Sequence, residues 1–219
     1  MIDFDEMIDN HLFREFRPKK EGRYFPSEIG TCLRKIWYSY KYPQEVKADL
    51  LKIFHVGNMM HDFVADVLRS EKNPDVELLK AEMPLKIEMD DIVIAGRVDD
   101  LLLLKAHGKN ILVEVKSART IKFQEKPSRH HVMQLQLYMH ASNVHSGIVL
   151  YLDKTTLQSR VFTIPYDETM VSLILDRFRN LHKFVVKNEL PTAEAKGDNE
   201  MSWVCRFCEY RDKCDKNEG

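Results

Sequence analysis

The chain has 219 residues, 44% of them hydrophobic and 31% charged, and its 33 Lys and Arg against 34 Asp and Glu give a formal net charge of −1. That length suffices for one well-cored domain with a small appendage and is too short for two full enzymatic domains. A near-zero charge excludes a protein that coats nucleic acid by bulk electrostatics, so any phosphate binding must be local, and no apolar run approaches the ~18 residues that a bilayer span requires.

The first ten residues carry Asp3, Asp5, Glu6 and Asp9 where a secretory signal would have a basic segment and then an apolar stretch, so a cytoplasmic protein is expected. A weak basic group follows, Arg14, Arg17, Lys19, Lys20 and Arg23, diluted by Glu15 and Glu21. Ser27 and Glu28 after Pro26 start a predicted helix with Ile29, Leu33, Ile36 and Trp37 at three- and four-residue spacing and Cys32 inside it. A second helix is predicted over 53–70, with Met60, Phe63, Val64, Val67 and Leu68 on its inner side, before Asn73-Pro74. The period then changes. Segments 83–89, 92–104 and 111–115 are rich in Ile, Val and Leu and read as buried strands, the last two joined through His107-Gly108-Lys109-Asn110. Helix returns over 128–146, ended by Gly147, and 148–152 and 160–164 form a strand pair. A long helix from the N-cap Asp167 to residue 190 has Met170, Leu173, Ile174, Phe178 and Leu181 as its inner stripe, and Pro191 stops it. The expected fold is α/β, a mixed sheet flanked by helices, which a pure Rossmann arrangement would not give. One unit is expected over 1–219: a helical part (1–80), a core (81–190) and a cysteine-bearing tail (191–219).

Two short stretches carry chemistry: Gly96-Arg97-Val98-Asp99-Asp100, and Leu112-Val113-Glu114-Val115-Lys116. Residues two apart share a strand face, so Glu114 and Lys116 project together while Val113 and Val115 pack behind. A turn over 105–110 sets Asp99 nearly opposite Lys116, within a residue of register. Cross-strand Cβ atoms lie about 4.5–5.5 Å apart, so Asp99, Glu114 and Lys116 would converge. Two carboxylates and an ammonium in an apolar sheet are costly without partners. A divalent ion such as Mg²⁺ or Mn²⁺ suits the two acids as hard oxygen ligands, with Lys116 left to orient a water; a salt bridge across a surface hairpin is the plainer alternative. The densest basic run, Lys116, Arg119, Lys122, Lys126 and Arg129 against Glu125 alone, reads either as a phosphate-gripping segment or as solvated surface.

These motifs resemble those of the PD-(D/E)xK nucleases, Gly96 to Asp99 as their first motif and Glu114-Val115-Lys116 as their E-x-K. Two further stretches are similar to the RecB-type branch. One is Gly57-Asn58-Met59-Met60-His61-Asp62-Phe63, whose His61 would be a metal ligand. The other is Gln134-Leu135-Gln136-Leu137-Tyr138, which matches a Q-x-x-x-Y motif. On residues alone, His61 shares a helical face with Val64 and Leu68 and reads equally as a core histidine. Gln134 and Tyr138, neighbours on one helix face, could hold the catalytic strand or phosphate and stack on a base or donate to phosphate, or merely decorate the helix. The resemblance implies a metal held by His61, Asp99, Glu114 and the Val115 carbonyl, with Lys116, Gln134 and Tyr138 completing the catalytic set.

Cys32 stands alone, while Cys205, Cys208 and Cys214 form C-x₂-C-x₅-C. Disulfides are disfavoured in a cytosolic protein, and a C-x₂-C pair lets two thiolates meet one metal centre, zinc or iron–sulfur. One cysteine ahead of the nuclease motifs and three behind is similar to the iron–sulfur RecB-type nucleases, above all to the CRISPR-associated stand-alone nucleases of the fourth Cas family. The resemblance implies a cubane 4Fe–4S centre, with 2Fe–2S as the alternative, that ties the first helices to the tail. It also implies a Mg²⁺/Mn²⁺-dependent deoxyribonuclease, a single-strand exonuclease or overhang-trimming endonuclease, that trims prespacers in CRISPR adaptation beside Cas integrase proteins. The alternatives are a general DNA-repair nuclease with the same site and a non-catalytic DNA-binding scaffold.

Overall fold

The computed structural model describes residues 2–216. The first third holds α1 (Phe4–Leu12), a two-residue strand β1 (Arg23–Tyr24), α2 (Leu33–Lys41) and α3 (Ala48–Arg69). Three strands follow, β2 (Val76–Met89), β3 (Ile92–Leu104) and β4 (Lys109–Ala118), then α4 (Arg129–Ser142), the pair β5 (Ser146–Asp153) and β6 (Ser159–Pro165), and α5 (Glu168–Lys187). Short helices α6 (Glu194–Gly197), α7 (Ser202–Arg206) and α8 (Arg211–Lys216) come last. Among the described residues no helix is long and apolar enough to cross a membrane.

All six strands form one mixed sheet; five lie where the hydrophobic periods implied strands, and β1 is a sixth that they did not mark. The long strand β3 organises it. β2 covers one edge of β3 antiparallel from Met89↔Ile92 to Val76↔Leu104, with a register shift between Leu78 and Lys80. The other edge is shared: β1 lies parallel beside its start, Tyr24↔Ile94, and β4 lies antiparallel beside its end, from Asp100↔Val113 to Leu104↔Lys109. Between those two partners the edge of β3 is open, and Gly96 to Asp99 lie in the break. β4 then pairs parallel with β5, and β5 antiparallel with β6.

Helices cover both faces. α4 lays Leu135 and Met139 on Val98, Leu112 and Val149, while Val64 of α3 packs on Leu102, Val113, Val115 and Leu152. Val113 and Val115 thus face α3 and Leu112 faces α4, so the alternation of β4 turns Glu114 and Lys116 toward α4. α2 and α5 bury Trp37, Tyr38, Phe178 and Leu181 around Tyr24 and Ile94, each such side chain contributing about 1.5–3 kcal/mol by leaving water.

Several expectations need correction. α2 begins at Leu33, and Cys32 is its extended N-cap (ψ 125°) rather than a residue within it; turns from Phe25 to Glu28 and Glu28 to Thr31 occupy the preceding segment. α3 starts at Ala48, and its Phe63 and Val67 face outward, because the side that lies on the sheet is Met60, Val64 and Leu68. α4 ends at Ser142, and its C-cap Asn143, with a left-handed φ of 56°, closes the last turn. Gly147 instead sits in β5 where α4 crosses; a Cβ there would lie 2.8 Å from Leu135. Leu173 is 66% exposed, and the inner stripe of α5 is Val171, Ile174, Phe178, Leu181 and Val185. Asp167 does cap α5, accepting from the Met170 N–H at 3.0 Å. Asp167→Ala is expected to cost about 1 kcal/mol, read as a shifted urea midpoint with an unchanged slope.

Candidate functional site

Asp99 is anchored by the break in the sheet. Opposite the open edge of β3 the Val115 N–H has no ladder carbonyl, and the Asp99 carboxylate accepts it at 2.7 Å. A buried backbone donor must be satisfied, so this bond fixes the carboxylate between strands. Its other oxygen lies 3.2 Å from Nδ1 of His61, which α3 brings in. Burial depresses the basicity of His61, but its bond to Asp99 and the nearby Glu114 charge outweigh that and leave its pKa raised.

The β3–β4 register differs from the expected one. Pairing ends at Asp100↔Val113, and one further step would set Asp99 against Glu114, with Lys116 two residues beyond. Glu114 is nonetheless close enough for its charge to act on His61, and Asp99 acts on Glu114 in turn. Glu114 is 1% exposed. One of its oxygens lies 2.7 Å from Lys116 Nζ, and the other, Oε2, is buried with no hydrogen-bond partner among the described residues. Burial pushes the Glu114 carboxyl up; burial disfavours the Lys116 ammonium too, but Glu114 more than offsets it and the Lys116 pKa is raised. Lys116 donates to Gln134 Oε1 at 3.2 Å, and Gln134 Nε2 donates to the Tyr138 hydroxyl at 3.1 Å. Helix α4 therefore holds the lysine by a side-chain relay. Tyr138 is 3% exposed, with Gly96 against its hydroxyl, so its ring cannot stack on a base.

Two acids were given no role in the sequence reading, although Asp100 ends the first of its two stretches. Glu82 lies between the Ala81↔Asp100 and Met83↔Val98 pairs of the β2–β3 register, in a left-handed conformation (φ 50°), and offers an oxygen within 4.8 Å of ligand atoms of both His61 and Asp99. This triad could hold a metal ion; it lines an open cleft of about 790 Å³ together with Asn58, Arg97 and Tyr138. The Asp90-Asp91 turn was the available signal, since counting back from a two-residue hairpin loop pairs residue 82 with residue 99. Asp100 is the second: it is 1% exposed with neither oxygen partnered among the described residues, and burial first, then Asp99, pushes its pKa up to about 6.

The four cysteines line one cavity of about 380 Å³, between the start of α2 and the three short helices. All four are free. Burial raises the Cys205 and Cys208 thiols, and Arg34 donates to Cys214 Sγ at 3.6 Å. The Cys32 arm is held from outside. Arg177 of α5 donates to the Ile29 and Thr31 carbonyls and pairs with Glu194, which in turn accepts from the Leu33 N–H and so caps α2 where Cys32 does not.

A mixed sheet that breaks at an aspartate, beside a strand carrying Glu-x-Lys and a helix carrying Gln and Tyr four apart, defines a restriction-endonuclease-like nuclease core. The chain belongs to the PD-(D/E)XK nuclease superfamily, whose family model matches residues 10–215; its members use divalent metals. It is 24% identical over 200 residues to a CRISPR-associated exonuclease Cas4 of Saccharolobus solfataricus, across 90% of this chain and 89% of that protein. The crystal structure of SSO0001 superposes with a TM-score of 0.60 at 20% identity, covering 94% of this chain and 90% of that one. An alkaline exonuclease from Laribacter hongkongensis gives a TM-score of 0.53 at 12% identity, over 77% and 90%. Both solved structures share the fold.

Proposed function

We propose that the chain is a Mg²⁺- or Mn²⁺-dependent deoxyribonuclease that trims single strands or overhangs, and that it serves CRISPR adaptation by preparing prespacer ends beside Cas integrase proteins. The observation that carries the nuclease reading is the unpartnered buried oxygen of Glu114 beside the Asp99–His61 pair. A buried, half-satisfied carboxylate costs several kcal/mol, and a small divalent cation removes that cost. His61, Asp99, Glu114 and the Val115 carbonyl would hold it, with Glu82 at the cleft side. When bound, such an ion neutralises phosphate charge and acidifies a water. Lys116, fixed by Glu114 and Gln134, stabilises the charge that builds on the phosphate; Gln134 and Tyr138 keep that lysine in place. The likeness to a Cas4 exonuclease supports the CRISPR assignment.

The four thiols are proposed to hold an iron–sulfur cluster, with the cubane form favoured. Supporting this, all four thiols line one cavity at the start of α2, and one cysteine ahead of the nuclease motifs with three behind is the arrangement that resembles the iron–sulfur RecB-type nucleases. The cluster would tie the start of α2 to the tail.

The test is digestion of 5′- and 3′-labelled single strands and overhang duplexes with Mn²⁺, Mg²⁺ or EDTA. Shortening with either ion and none with EDTA is expected. Cutting that EDTA leaves undiminished would overturn the metal-dependent reading, and a chain inert on every DNA with both ions would favour the scaffold.

A further inference from the structure

We propose that Phe123 is a stacking platform for a base of single-stranded DNA next to the active site, an inference that rests on the nuclease reading of Asp99, Glu114 and Lys116. Phe123 is 80% exposed, more than Phe13 and Phe207 at 72% each, and exposure of a single ring says little by itself. Its setting is what distinguishes it. The segment bearing Phe123 leaves β4 just after Lys116 and returns at the first turn of α4, the helix that carries Gln134, so both of its ends are catalytic elements.

The segment is also held in shape. Arg160 of β6 donates to the Gln124 carbonyl at 3.0 Å and to the Lys122 carbonyl at 3.1 Å, gripping the backbone on either side of Phe123. Gln124 donates to the Lys126 carbonyl at 2.6 Å, and Ile121, 5% exposed, anchors the start in the core. A ring on a braced backbone loses little further freedom when a ligand covers it, which favours binding.

Charge selects the ligand. Arg119, Lys122 and Lys126 lie on the same segment and Arg129 opens α4 just beyond it, with Glu125 as the one acid in the run; Lys126 also meets the exposed Glu200 at 3.4 Å, and the Lys122 ammonium sits 5.7 Å from the Phe123 ring centroid. Aromatic rings interleaved with cations are what single-stranded nucleic acid needs, since every unpaired base has a face to stack while its phosphate meets a lysine. Duplex DNA keeps its base faces covered and would gain only the charge.

The test is binding, measured by fluorescence anisotropy in EDTA so that cutting plays no part. The probes are oligo-dT, a strand of abasic spacers of equal length, and a hairpin-closed duplex. Phe123→Ala should weaken oligo-dT binding roughly tenfold, leave the duplex unchanged, and bring oligo-dT close to the abasic strand; Phe123→Trp should restore the loss. Equal affinities for Phe123→Ala and the unaltered protein, or an equal loss on all three probes, would overturn the proposal. A chain that binds oligo-dT through Phe123 yet cuts no DNA with Mn²⁺ would sink the nuclease reading and leave the platform standing.

Discussion

Asp99→Asn is expected to lower DNA cleavage by about a thousandfold or more while the chain stays folded. The amide oxygen of asparagine can still accept the Val115 N–H, so the bond that closes the break in the sheet is retained. What disappears is the negative charge between His61 and Glu114. His61 then loses the partner that holds its pKa up against burial, and the proposed ion would lose a ligand. Initial rates on labelled strands in Mn²⁺ give the loss, and circular-dichroism melts run alongside separate it from unfolding. A second reading comes from the melts: Mn²⁺ should raise the melting temperature of the unaltered chain by binding only its folded state, and that rise should vanish in Asp99→Asn. Full activity in the asparagine variant would contradict the roles given to this residue.

Cys32→Ser is expected to cause the second large effect, loss of bound iron together with a fall in melting temperature on the order of 10 °C. Cys32 and the tail cysteines lie at opposite ends of the sequence, so a centre joining them removes much of the freedom of the unfolded chain. Serine nearly preserves volume at this buried position but is a poor ligand for iron. The Arg177–Glu194 clasp still holds the Cys32 arm and the cap of α2. The variant should therefore fold, with a native far-ultraviolet spectrum, yet melt early. Iron analysis and visible absorbance on anaerobically purified protein read the cluster directly. Unchanged iron content in Cys32→Ser would remove this cysteine from the site, and stoichiometric zinc in the unaltered chain would replace the iron assignment.

The site motifs were legible in the sequence because each lies within one regular element. Glu114 and Lys116 share a face by strand alternation, and Gln134 and Tyr138 by helical spacing. What periodicity does not encode is how elements meet. A turn over 105–110 makes Asp99 face Lys116, but β4 already begins at Lys109, because polar residues can continue a ladder that apolar composition does not mark. Two residues fewer in the turn shift the partner by two, and Asp99 belongs beside Glu114. Glu82 was hidden for a related reason. β2 alternates exposed and half-buried residues along 14 positions, so in its first half Val76, Leu78 and Leu79 are interrupted by Glu77, Lys80 and Glu82 and make no continuous apolar run to announce a strand. Cys32 reads as helical from the spacing of Ile29, Leu33 and Ile36, yet Gly30 brings the chain against His130, where a Cβ would lie 2.4 Å from that residue's own Cβ. That contact sets where α2 can start. Such a constraint comes from a residue 100 positions away and leaves no trace in local pattern. The basic segment from Arg119 to Arg129 was visible as charge, but the bracing of Phe123 by Arg160 belongs to the tertiary structure.

The site itself is tested most directly by locating Mn²⁺. Crystals grown with Mn²⁺ and measured for its anomalous scattering should show a peak roughly 2.0–2.3 Å from carboxylate oxygens of both Asp99 and Glu114, the range for a small divalent cation, with His61 in reach. A peak held by His61, Glu82 and Asp99 alone, with Glu114 still bound only to Lys116, would contradict the account, as would Mn²⁺ that settles away from Asp99 altogether.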